Sequence, residues 1–124
     1  MPVKYPNLFS PVKIGNVVLR NRLIATCSSP HFCQGSESWP TEGFITHYAN
    51  KAKGGAAVVT CKGASPVLNG SDPHASMLDI HNGANQHYFA QMADAVRYYG
   101  AMPSILIMPA SGIMVHGIDA SDDI

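Results

Sequence analysis

The chain has 124 residues, 46% of them apolar and 13% charged, and eight basic residues balance eight acidic ones to a net charge of zero. That length suits one domain burying about 65% of its unfolded surface. The neutral balance excludes the basic footprint that nucleic acid or anionic lipid requires, and low charge beside an ordinary apolar fraction excludes disorder.

No apolar run approaches the ~20 residues of a membrane span. Met1 to Ser10 has no apolar core of signal-peptide length and carries Pro2, Pro6 and Asn7, so a cytoplasmic protein is expected. Cys27, Cys33 and Cys61 make an odd number without a CxxC pair, which argues against a disulfide framework.

Val12-Lys13-Ile14 and Val17-Val18-Leu19 are β-prone runs separated by Gly15-Asn16, the pattern of a tight hairpin. Leu23 to Cys27 is a short apolar run that reads as a buried strand. Ser28 to Pro40, rich in Ser, Pro and Gly, reads as a loop. Thr41 is a plausible N-cap for a helix over 41–53, with Phe44, Ile45, Tyr48, Ala49 and Ala52 at helical spacing. Lys51 and Lys53 favour its last turn, and Gly54-Gly55 ends it. Ala56 to Cys61 has no alternation, the mark of a strand covered on both faces. Gly63 to Gly83 is a long connection of the kind that usually carries function. A second helix is expected over 85–99, with Tyr88, Phe89, Met92, Val96 and Tyr99 as its stripe and Gly100 as its stop. Ser104 to Met108 is a third strand, closed by Pro109. Strand and helix alternate after the hairpin, which predicts an α/β fold of parallel βα units in a single segment, 1–124.

Leu8-Phe9-Ser10-Pro11-Val12-Lys13-Ile14-Gly15 and Leu19-Arg20-Asn21-Arg22 resemble the opening of the old yellow enzyme family of flavin-dependent ene reductases. His47 to Val59 resembles that family's first helix and second strand. The resemblance runs collinearly from about Tyr5 to Met108 and is closest to the bacterial 2-enoate and 2,4-dienoyl-CoA reductase branch. It implies the N-terminal part of a TIM (β/α)8 barrel whose hairpin plugs the bottom, with FMN at the C-terminal ends of the strands. Barrel active sites are built at that end.

Carried over by position, Ala25, Thr26, Cys27 and Ser28 fall on the first-strand segment whose backbone lies along the flavin. Ser29 falls where the family has a Thr or Cys near the flavin carbonyl oxygen, and a hydroxyl there stabilises negative charge on the reduced ring. Lys62 occupies a position usually held by Ala or Gly, where backbone touches the flavin; its side chain must aim away or meet an anionic ring. Leu106 replaces the Gln or Glu that recognises the pyrimidine edge, and makes no such hydrogen bonds. The family's substrate-anchoring pair, proton-donating Tyr, phosphate-binding loops and iron–sulfur cysteines all fall beyond residue 124, so no catalytic residue is assigned. An iron–sulfur cluster is expected only in a longer chain. A complete barrel needs ~250 residues, so the sequence reads as a piece of a longer chain or a truncated relative.

Several residues have plainer readings. Cys27, His31 and Cys33 fit no common zinc spacing, and no metal site is assigned. Cys27 is either a flavin-proximal thiol or a small apolar filler at a strand end. His74, His81, His87 and His116 read as surface or capping histidines. Gly54-Gly55 follows a helix rather than preceding one, and Gly112 to Gly117 lacks phosphate-loop spacing.

The resemblance implies an FMN-dependent oxidoreductase that uses NAD(P)H to reduce an alkene conjugated to a carbonyl, with a small enone or enoate as substrate. The alternative is a non-catalytic partial barrel that associates with itself or a partner chain, since three parallel strands leave open edges. In either case the remaining barrel or a second copy is the expected partner.

Overall fold

The computed structural model describes residues 4–28, 30, 39–65, 78–80 and 82–107. Gly15 holds φ +57°, the left-handed conformation that a two-residue hairpin turn demands. It joins β1 (Val12–Ile14) to β2 (Val17–Leu19), which pair antiparallel with Val12 opposite Leu19. The chain continues through β3 (Ile24–Ala25), α1 (Glu42–Lys53), β4 (Val58–Ser65) and β5 (Leu78–Asp79). A 3-10 turn at Gly83–Asn85 leads into α2 (Gln86–Tyr98), and β6 (Met102–Ile107) follows.

β4 is the spine. β3, β5 and β6 each pair with it, all in parallel. Val58 faces both Ile24 and Met102, and Ala64 faces both Leu78 and Ile107. β3 and β5 therefore share one edge of β4 at opposite ends, and β6 runs along the other. The three expected strands are present and parallel, with boundaries that differ from the sequence reading. The expected 23–27 shortens to Ile24–Ala25, 56–61 becomes Val58–Ser65, and 104–108 becomes Met102–Ile107 within the described residues.

Gly55 (φ +105°) and Gly100 (φ +73°) turn the chain out of each helix and set where the next strand starts. Met102 N–H donates to Ala57 O at 2.8 Å. Strand alternation then points the nitrogen of Pro103 to the opposite edge, where a missing N–H costs no ladder bond. The connection read as Gly63 to Gly83 also carries the last residues of β4 and the whole of β5. Burial explains β5: Leu78 is fully buried in the main core. Asn85, expected inside the helix, instead sits beneath it and donates from Nδ2 to Asp79 O at 2.9 Å, fastening β5 to the start of α2.

Phe44, Tyr48 and Ala52 of α1 form one cluster with Met92 and Val96 of α2, Val59 and Cys61 of β4, and Leu78. Val59 and Cys61 are alternate residues of one strand, so both helices cover the same face of the sheet. Thr41 caps α1 as expected, its Oγ1 accepting from Phe44 N–H at 3.4 Å. Ile24, Met102, Leu106 and Ile107 stay exposed on the strands. No helix among the described residues is long and apolar enough to cross a membrane.

The starts of the strands are locked by Arg20 and Asn21. Arg20 donates to Tyr99 O at 2.6 Å, to Ala52 O at 2.9 Å and to Ala56 O at 2.8 Å. It thus satisfies carbonyls at the C-terminal ends of both helices, where unpaired acceptors and the negative dipole end favour a cation. Asn21 donates from Nδ2 to Gly55 O at 2.8 Å and accepts from Leu23 N–H at 3.0 Å. Val18, Leu19 and Arg20 meet Ala57 and Met102 around a cavity of about 230 Å³, so the hairpin joins the sheet at the N-terminal ends of its strands.

Candidate functional site

At the opposite end, the C-terminal ends of the strands, lie the described residues singled out by position. Ala25 closes β3 and is half-buried, and Thr26, Cys27 and Ser28 continue from it, exposed. Lys62 lies in β4 and is buried, only 6% exposed. Leu106 lies in β6, opposite an irregularity of the β4 ladder between Cys61 and Ala64, and is 38% exposed. Ser29 lies outside the described residues, as do His31, Cys33, His74, His81, His116 and residues 108–124.

Tyr48 brings two of these positions together. Its side chain leaves α1 buried, 1% exposed, and its Oη donates to Ser28 O at 2.6 Å and accepts from Lys62 N–H at 2.8 Å. The β3–β4 ladder ends at Ala25 opposite Val59. Counting on three residues in the same register puts Ser28 opposite Lys62, with the phenol oxygen standing between them. Sequence reading treated Tyr48 as core stripe alone. The available signal was its hydroxyl, since a buried Tyr needs a polar partner.

His47 and Lys51, one helical turn apart, converge on the other side of Ser28. Lys51 Nζ donates to Ser28 Oγ at 2.6 Å, and His47 Nε2 lies 3.3 Å from the same oxygen. Helical side chains slant toward the helix N-terminus, which lets Lys51 in the last turn reach back toward this end. With Oγ accepting from Lys51, its own proton is free to go to His47 Nε2. Burial, and then the charge of Lys51, hold the His47 pKa below its ordinary value, which favours the neutral ring that this bond needs. Lys51 is lowered by burial, and its ammonium also lies 4.9 Å from the Tyr48 ring centroid.

The two described cysteines differ. Cys61 is buried, and burial pushes its thiol pKa up to about 12, which leaves it protonated and inert. Burial also raises the Tyr48 hydroxyl well above its ordinary value, so it serves as a neutral donor and acceptor. Cys27 is exposed. That corrects the reading of it as an apolar filler packed at a strand end: the β3 ladder stops two residues earlier, and Cys27 stands beyond the elements of this chain. Among the described residues, no group of three His, Cys, Asp or Glu side chains is placed to hold a metal ion.

A separate concavity lies between the starts of the two helices. Trp39 stacks on Tyr88 with ring centroids 5.7 Å apart and planes 13° from parallel. With Thr41, Glu42, Ile45 and Gln91 they wall a cavity of about 490 Å³.

Comparison with known proteins gives the same architecture. The model of the NADH:flavin oxidoreductase / NADH oxidase family matches residues 7–122. N,N-dimethylglycine/sarcosine dehydrogenase of Chromohalobacter salexigens is 37% identical over 103 residues, which is 81% of this chain and 14% of that protein. NADH oxidase of Thermoanaerobacter brockii is 28% identical over 97 residues, 78% of this chain and 15% of that protein. The solved structure of 2-naphthoyl-CoA reductase with 2-naphthoyl-CoA superposes with a TM-score of 0.75 at 26% identity, over 84% of this chain and 16% of that one. Old yellow enzyme from Pichia sp. superposes at 0.73 with 18% identity, over 83% and 26% of the two chains, a likeness of fold alone. The chain spans about one-seventh of the length of the curated relatives it matches.

Proposed function

The chain belongs to the NADH:flavin oxidoreductase / NADH oxidase family, and from that premise we propose that it forms the opening of an FMN-binding (β/α)8 barrel with the hairpin as floor. The complete protein is then an ene-reductase-type oxidoreductase that uses NAD(P)H to reduce an alkene conjugated to a carbonyl. The observation that carries this reading is the in-register meeting of Ser28 and Lys62 at the strand ends away from the hairpin.

The described residues fit one flank of the flavin ring. Thr26 to Ser28 form an exposed strip at the C-terminal end of β3, and Leu106 adds an exposed apolar side chain at the same end. Flat ligands take this combination of backbone polar groups and apolar wall. FMN, when bound, supplies the hydride-transfer chemistry. In this reading the backbone of Ala25, Thr26, Cys27 and Ser28 lines the ring, and Ser29 contributes a hydroxyl near its carbonyl edge. Lys62 offers backbone, while its side chain stays buried, within electrostatic reach of Cys61. Leu106 gives contact without recognition of the pyrimidine edge. Phosphate donors, proton donor and substrate anchors come from the remaining barrel. Ile24, Met102 and Ile107, exposed here, supply an apolar surface for those further strands to cover.

A second substrate class also has support. The relative that is 37% identical is named for N,N-dimethylglycine and sarcosine, so the same flank would serve the oxidation of an N-methyl amine. One experiment separates the two. The complete protein is purified and, under anaerobic conditions, one sample is reduced with NADH or NADPH and then given a conjugated enone, while a second, oxidised sample receives sarcosine alone. Flavin absorbance that bleaches with nucleotide and returns with enone supports the first reading, whereas bleaching by sarcosine without nucleotide supports the second. A colourless protein that takes up no FMN contradicts both.

A further inference from the structure

We infer that Tyr48 is a positioning residue for the flavin flank, its hydroxyl setting the separation between the Ser28 carbonyl and the Lys62 amide. The inference rests on the proposed placement of FMN at this end, and adds a residue that touches neither cofactor nor substrate.

β3 and β4 are held directly only at Ile24–Val58 and Ala25–Val59. Three residues further, where a continued ladder would bring Ser28 against Lys62, the Tyr48 oxygen is interposed, 2.6 Å from one backbone group and 2.8 Å from the other. A direct ladder bond would draw the strands together. An inserted oxygen holds them apart by a fixed amount while leaving both groups hydrogen-bonded. The hydroxyl arrives from the helix side of the sheet, since Tyr48 belongs to the cluster that α1 and α2 form with β4. The spacer therefore takes up no space beyond the strand ends, where the proposed ligand lies.

The spacer is itself rigid. Tyr48 packs against Phe44, with ring centroids 4.9 Å apart, and His47 stands edge-on to it at 5.1 Å. Lys51 and His47 hold the Ser28 side chain from the same helix. Ring-facing backbone must be held to within about 0.5 Å for close contact, and Tyr48 is the described side chain that contacts both strand ends.

The test uses the flavin-loaded complete protein, its Tyr48→Phe variant, and Val96→Ala as a control that loses core packing in α2 without touching the strand ends. FMN affinity is measured by fluorescence titration of the apo-proteins, alongside thermal midpoint and flavin reduction potential. Tyr48→Phe should weaken FMN binding about tenfold, the scale of one net hydrogen bond, and should shift the potential. Val96→Ala should lower the thermal midpoint with affinity and potential unchanged. Should Tyr48→Phe fail to fold, Tyr48→4-aminophenylalanine keeps the donor to Ser28 O but accepts poorly from Lys62 N–H, and should bind FMN more weakly than the parent; equal affinity in that variant overturns the inference as well. Equal FMN affinity in parent and Tyr48→Phe overturns the inference while leaving the flavin reading intact, as does an affinity loss in Val96→Ala of the same size. A parent protein that binds no FMN overturns both.

Discussion

At the start of β4 one guanidinium gathers three carbonyls, two from helix ends and one from the link into the strand; at its finish one phenol oxygen stands between two strand ends. The first arrangement is charged, redundant and closed, and Asn21 reinforces it. The second centres on one neutral oxygen, with Lys51 and His47 holding the Ser28 side chain beside it, and the described residues leading up to it, Thr26 to Ser28, are exposed. In the proposed barrel the hairpin end would need only to be stable, whereas the other end would present groups to a ligand. The contrast teaches where substitutions should cost folding and where they should cost binding.

Arg20→Ala should be the most damaging change at the floor. It removes charge-assisted bonds to Tyr99, Ala52 and Ala56 at once, and chemical denaturation should show a loss of about 3 kcal/mol. Flavin affinity of the folded fraction should be unaltered; weaker binding at equal stability would break the contrast between the ends. Gly100→Ala should cost about 2 kcal/mol, because a Cβ there is strained at φ +73° and would sit 3.2 Å from Arg20 Nη1. Thermal melts of Gly100→Ala and Arg20→Ala singly and together should be less than additive, since both disturb the same clamp.

Thr41→Ala probes the other end of α1, where a neutral hydroxyl makes a long 3.4 Å cap bond. About 0.5 kcal/mol should be lost, the low end for caps, and a loss as large as that of Arg20→Ala would contradict the ranking. The smallest effect concerns His47. Its pKa is lowered on folding from an ordinary 6.5 by burial and by Lys51, so between 6.5 and the folded value the unfolded chain binds more protons. Stability from this group is complete above pH 6.5 and is lost as pH falls toward the folded value. His47→Gln should flatten that part of the pH–stability profile; an unchanged profile would mean that burial and Lys51 do not hold the His47 pKa down.

Much of the floor was legible in the sequence. Gly15-Asn16 is a local turn signal, and the helices announced themselves by stripe, cap and glycine stop, because short-range chemistry decides these features. The Leu19-Arg20-Asn21-Arg22 stretch was recognisable as family pattern, but its carbonyl clamp needs helix ends more than thirty positions away in the chain, which spacing cannot show. β5 was missed for a related reason: two residues are too few for any period, and Leu78 is fixed by the core rather than by its neighbours. At the other end the candidate positions were named by resemblance, yet Tyr48, which joins Ser28 to Lys62, was hidden among the apolar residues of its stripe. A stripe reports which face is buried and is silent on where a hydroxyl ends.

The central claim is that ligand binding belongs to the finish of the strands and folding stability to their start. Hydrogen exchange of the complete protein, followed by mass spectrometry with and without FMN, tests it most directly. The account predicts that FMN slows exchange in peptides covering Thr26 to Ser28, Lys62 and Leu106, and leaves Val12 to Arg22 unchanged. Protection confined to the hairpin and the Arg20 segment, with Thr26 to Ser28 unaffected, would contradict it.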